Sequence, residues 1–156
     1  MQRTEDIVRW VAAVLYVLGI AAETAGGDEP AFDYERYRRE ARELFVVHME
    51  QVKLLRVVDG ENEYAYVYAR ARVLEVERTR VGVSPGETVF IRYIHRYIRP
   101  PGSTLPAVED GTVYTAYLNR ILAEDPEGRR LFPGWDYRRQ FFPCAEEWSF
   151  VEHPGR

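Results

Sequence analysis

The chain has 156 residues, 46% of them apolar and 29% charged, with a formal net charge of −4. That length points to one domain, and that composition excludes the intrinsically disordered class. The acidic balance argues against a duplex nucleic-acid binder, which neutralises phosphates with a positive surface. The single cysteine, Cys144, excludes an intramolecular disulfide framework and a cysteine-rich zinc site. Aromatic residues make up 13%, with 11 tyrosines, which leans the chain towards β structure. Positive charge is nearly all Arg, Lys53 being the one lysine, a bias that reads as genomic base composition.

At the N-terminus, Trp10 to Ala22 (WVAAVLYVLGIAA) is an unbroken apolar run. It is shorter than the ~20 residues that span a bilayer. Arg3 and Arg9 precede it, offset by Glu5 and Asp6, and small residues follow before Asp28-Glu29-Pro30. Residues 1–25 therefore read as a secretory signal peptide, cut near Ala21 or Thr24, and 26–33 as a linker. The expected location is secreted, periplasmic or in the cell envelope, with no stable membrane span after cleavage. Two other readings stay open: a helix buried on the domain, and an uncleaved anchor. No cysteine lies near the cut, which excludes lipid attachment of the bacterial lipoprotein type.

Residues 34–156 read as a single domain. Tyr34, Tyr37, Ala41 and Leu44 recur at helical spacing behind Asp33, a residue suited to an N-cap, and predict a short helix over 34–43. Phe45, Val47 and Met49 then alternate, Val52 and Leu54 take the other parity, and Leu55 to Val58 leads into Asp59-Gly60-Glu61-Asn62. A helical stripe could run on to Leu55. The Asp-Gly turn favours a strand that ends in a hairpin.

The returning strand, 63–78, places Ala65, Val67, Ala69, Ala71 and Val73 on one face and Tyr64, Tyr66, Tyr68, Arg70 and Arg72 on the other. After Val73 the phase flips to Leu74 and Val76, which predicts a bulge. Ser84-Pro85-Gly86 is a turn, 87–99 a third strand ended by Pro100-Pro101-Gly102, and 112–122 a fourth strand after a Pro-rich loop. Glu124 to Gly128 reads as a turn and Arg130 to Trp135 as a short fifth strand. The tail 136–156 reads as irregular, with Phe141, Phe142 and Trp148 expected to pack on the domain.

The stretch RARVLEVERTRVGVSPGETVFIRY (70–93), followed by VEDGTVYTAYLNRI (108–121) and EGRRLF (127–132), resembles the netrin-like or TIMP-like OB-fold domain carried by small secreted bacterial proteins. The resemblance implies a mainly β fold: a small five-stranded OB-type Greek-key barrel with a short N-terminal helix. It also implies binding of a protein or glycan partner. Metalloproteinase inhibitors of this type use an N-terminal cysteine and disulfides. The lone Cys144 matches neither, so that inhibitory chemistry does not carry over.

The ladder Tyr64, Tyr66, Tyr68, Arg70, Arg72 is the candidate binding face, because OB-folds present aromatic and Arg side chains on one barrel face. Its structural alternative is cross-strand Tyr–Arg pairing on a solvated or covered sheet. His48, His95 and His153 show no metal-ligand spacing. Cys144 has only His153 near it in sequence as a base, and in an exported chain a lone thiol could bridge two molecules. The carboxylates fall mostly in adjacent pairs, which point opposite ways on a strand, and no glycine-rich phosphate loop occurs. Hence no catalytic residue, metal or cofactor is expected. The expected function is an exported binding module with an unknown protein or glycan partner. The alternative, an intracellular OB-fold protein binding single-stranded nucleic acid, requires Trp10–Ala22 to be a domain helix.

Overall fold

The computed structural model describes residues 33–97 and 106–153. The expected signal peptide, most of the linker and the Pro100-Pro101-Gly102 break lie outside these residues. Among those described, the chain starts with a helix, α1 (Tyr34–Glu40), whose Asp33 cap accepts from the Arg36 amide at 2.9 Å. The helix stops three residues short of its expected end at 43. Glu43 is drawn into a strand and buried there, where its carboxylate accepts from Thr79 Oγ1 at 2.8 Å and from the Arg80 amide at 3.1 Å.

The next two elements, β1 (Glu43–Asp59) and β2 (Asn62–Arg78), form a long antiparallel hairpin. The helical alternative to Leu55 is thereby excluded. Asp59 faces Asn62 across Gly60-Glu61, and Gly60 takes φ 60°, which a residue with a Cβ avoids. The expected bulge is present: Val47 faces Val73, Val46 faces Glu75, and Leu74 is the extra residue. Glu50 is a second extra residue, on β1, and Glu77 a third, on β2. Each adds local bend and twist. The first half of β1 can therefore serve two neighbours, pairing through Glu43–His48 with β4 (Val113–Arg120) as well as with β2.

β3 (Thr88–Tyr97) lies antiparallel on β2. The expected strand at 130–135 is absent. In its place Pro126–Leu131 forms a helix, α2, and the turn expected at 124–128 is its beginning. Asp125-Pro126-Glu127 is helix-start chemistry: a capping carboxylate, a proline in the first turn and an acid behind it. The fifth strand lies instead in the tail expected to be irregular. β5 (Gln140–Pro143) joins β3 in parallel and β4 antiparallel, and β6 (Phe150–Glu152) pairs with β4 further along the same edge, opposite β1. Neighbours thus run β1-β2-β3-β5-β4-β6 in one mixed six-stranded sheet, and β4 also pairs with β1.

The face that alternation assigns to the interior is the core. Val67, Ala69, Ala71 and Val73 of β2 pack with Phe45, Val47, Ile91, Leu118 and Phe141. Phe141 is fully buried, edge-to-face with Phe45 at 5.6 Å, so this part of the tail packs as expected. Each such large side chain contributes about 1.5–3 kcal/mol through its removal from water.

Candidate functional site

The five residues of the sequence-predicted ladder share one face of β2, yet the fold gives them three different surroundings. Tyr68 is buried, its ring 5.6 Å from that of Trp135 and in a cluster with Phe90 and Phe132. Burial pushes its hydroxyl well above the usual tyrosine range. Tyr68 is therefore a packing residue rather than a contact residue. Arg70 and Arg72 both pair with Glu50, at 3.2 and 3.0 Å, and Arg72 also donates to the Gly86 carbonyl. These two meet the cross-strand alternative, with the charge partner supplied by the β1 bulge.

Tyr64 and Tyr66 are the ladder tyrosines that remain accessible, beside the part-exposed, Glu50-paired Arg70 and Arg72. Both tyrosines are half-buried, with ring centres 5.6 Å apart at 83°. Burial, and then the hydrogen bond with Tyr64, raises the Tyr66 hydroxyl. The register places Val57 and Arg96 beside Tyr64, and Leu55 and Ile94 beside Tyr66. Directly opposite residues share a sheet face, so the pair sits in an apolar surround with exposed Arg96 at its edge.

The cover over the other half of this face was the part that sequence reasoning missed. It is α2 and the turn behind it. Lys53 Nζ donates to the Leu131 carbonyl at 2.5 Å and lies 4.8 Å from the Phe132 ring centre. Gly128 lies flat under Trp135, where a Cβ would come within 2.5 Å of the indole. The indole N–H donates to Gln140 Oε1 at 2.7 Å, which ties the cover to β5. The available signal was the Asp-Pro-Glu helix start.

A second concavity, of about 300 Å³, opens between the loop before β4 and the tail. Val108, Tyr114 and Phe150 form apolar walls, and Glu109, Glu147 and Glu152 supply carboxylates. Two tyrosine hydroxyls hold the loop, Tyr93 accepting from the Val108 amide at 3.1 Å and Tyr114 from the Glu109 amide at 3.2 Å. Glu147 is 6% exposed, and its Oε2 lies 3.7 Å from Nδ1 of buried His95. Burial raises the carboxyls of Glu146 and Glu147 and lowers the His95 imidazole. Glu146 takes φ 48°, the left-handed region that costs a residue with a Cβ energy.

The remaining candidates resolve into ordinary roles. His48 on β1 and His95 on β3 are separated by β2. Cys144 is buried with its Sγ 3.4 Å from Ser149 Oγ, and burial pushes its thiol up. Among the described residues, no group of three or more His, Cys, Asp or Glu is placed to hold a metal ion, and no helix is long and apolar enough to cross a membrane. The chain matches no known family model and no curated protein sequence.

Proposed function

We propose that this chain is an exported, non-enzymatic binding module on a five-stranded OB-type Greek-key barrel of the netrin-like or TIMP-like kind, and that it takes a protein partner on the hairpin face around Tyr64 and Tyr66. The barrel reading is supported by the pairings, which pass from β1 through β2, β3, β5 and β4 and return to β1. Export is supported by the apolar run Trp10–Ala22 between arginines and small residues.

The observation that carries the binding role is a half-buried tyrosine pair among Leu55, Val57 and Ile94, with Arg96 exposed at its margin. Tyr and Arg around an apolar centre are the residue types in which binding energy concentrates. The edge-to-face tyrosines present no flat shared platform, which favours a protein over a stacked sugar.

The test is capture from envelope and extracellular material by the wild-type chain, by Tyr64→Ala/Tyr66→Ala, and by Leu122→Ser as a control on another exposed side chain. A protein held by wild type and control, and bound about tenfold or more weakly by the tyrosine variant, is the expected result. Equal capture by all three removes this face from consideration. Retention that depends on added glycan assigns the alternative partner class. Intact mass and fractionation in the native host test export: loss of roughly 20–27 residues is expected, and a full-length cytoplasmic chain overturns it.

A further inference from the structure

We infer that the outer edge of β1, from Lys53 to Asp59, pairs antiparallel with the same edge of a second copy of this chain, about a twofold axis at Arg56. The contact uses the edge of the sheet, so it leaves the Tyr64–Tyr66 face open and does not rest on the role of that face. The pairing of β1 with β4 covers Glu43–His48. Beyond it, Met49 exchanges backbone hydrogen bonds with Gly111 and Thr112, and the Asp110 carboxylate takes the Val52 amide. Among the described residues, no strand continues this pairing along Lys53–Asp59.

This edge lacks the devices that keep sheet edges apart. Its register with β2 runs without a shift from Gln51 to Asp59, so no bulge turns it away. The stretch holds no proline, and its one lysine, Lys53, turns its ammonium to the Leu131 carbonyl. Leu54 and Val58 stand 44% and 72% exposed on one sheet face. An exposed, regular, apolar edge of this kind is a template for a further strand.

The side chains along the edge select a second copy as the occupant. The Val52 amide points away from β2, and alternation turns the backbone groups of Leu54 and Val58 the same way. A mate must therefore align even-numbered with even-numbered residues. An axis at Arg56 sets Lys53 opposite Asp59, Leu54 opposite Val58 and Leu55 opposite Val57, and symmetry repeats each match. The Lys53 ammonium has N–H groups for a carboxylate beyond the one given to Leu131. Arg56 meets Arg56 at the axis, and each brings Glu63 of its own chain, at 3.4 Å, as counter-charge. Moving the axis to Leu55 sets Arg56 opposite Leu54. Moving it to Val57 sets Asp59 opposite Leu55 and Arg56 opposite Val58. The Arg56 axis alone of these three matches charge with charge and apolar with apolar.

The experiment is sedimentation velocity of the full chain from micromolar to millimolar concentration. A concentration-dependent dimer is expected, and Leu54→Lys/Val58→Lys, at two exposed positions, should weaken it about tenfold or more. Leu122→Ser, at an exposed side chain elsewhere, should leave it unchanged. Thermal unfolding establishes that each variant is folded, and the wild-type measurement needs no variant. Register is read by oxidising Leu54→Cys and Val58→Cys chains apart and mixed. Residues opposite one another lie within disulfide reach, and those well out of register do not. The mixture should therefore crosslink faster than either chain alone. A wild-type monomer throughout, a dimer untouched by the lysine variant, or equal crosslinking in all three samples overturns the proposal. A monomer that still captures protein through Tyr64 and Tyr66 overturns the dimer and leaves the role of that face intact.

Discussion

Arg92 on β3 and Asp125 at the start of α2 form a buried ion pair, their side chains 6% and 4% exposed. The same carboxylate caps the helix: Oδ1 accepts from the amides of Glu127 and Gly128 at 3.1 and 3.0 Å while Oδ2 takes the guanidinium. One side chain thus starts α2 and pins it over the sheet. Asp125→Ala should cost about 3–5 kcal/mol in urea unfolding, since it removes the carboxylate that pairs with a buried guanidinium. Asp125→Asn keeps a capping oxygen and should cost less. A loss below about 1 kcal/mol in the alanine variant would show the pair to be dispensable.

Tyr66 and Tyr68 are two residues apart on one face, and their substitutions should separate cleanly. Tyr68→Ala opens a cavity beneath Trp135 and should destabilise by about 3–5 kcal/mol. Tyr66→Ala removes a half-buried ring and should cost about 1 kcal/mol or less. Equilibrium denaturation of the two variants is the measurement, and equal costs would contradict the division of the ladder.

Acid sensitivity should come in two opposed parts. Burial lowers His95 from its usual 6.5, so its contribution to stability is present above about pH 6.5 and is lost as pH falls through the lowered value. Burial raises Glu146 and Glu147 from 4.5, so their contribution is present below about pH 4.5 and is lost as pH rises through the raised values. Arg96 opposes the rise at both carboxyls, and Glu146 opposes the fall at His95. His95→Asn should leave a melting temperature that declines as pH rises above about 4.5. Glu146→Gln/Glu147→Gln should leave one that climbs as pH rises towards about 6.5. Parallel profiles for the two variants would contradict the assignment.

Cys144 should be inert in the folded chain. It is buried, and desolvation raises its thiol against the opposing pull of the Ser149 hydrogen bond, which suppresses the thiolate. A thiol-disulfide reagent should titrate it only in denaturant. Rapid reaction under native conditions would return the intermolecular disulfide to consideration.

The hairpin was legible because its information is local. Alternation from Ala65 to Val73 sets which residues face inward, Asp59-Gly60 sets the turn, and the flip after Val73 marks Leu74 as the bulge. β5 was not legible. Gln140–Pro143 is four residues with no alternation of its own, and it is a strand because β3 and β4 leave backbone groups for it to pair with. The stretch from Arg130 to Trp135 looked strand-like because its aromatic and apolar residues were read without the Asp125 cap that starts the helix before them.

The candidate sites divide the same way. The sequence by itself determined that Tyr64 to Arg72 share one face and that the chain is mainly β, because side-chain parity is a property of consecutive residues. Only the tertiary structure decided which part of that face stays open. Trp135 and Phe132 arrive from far along the chain to cover Tyr68, and Glu50 arrives from the neighbouring strand to occupy both arginines. It likewise decided the acidic cleft, which brings Val108 and Tyr114 against Glu147, Phe150 and Glu152. Long-range contacts of this kind are set by strand closure and by the need to bury apolar surface, and no local pattern encodes them.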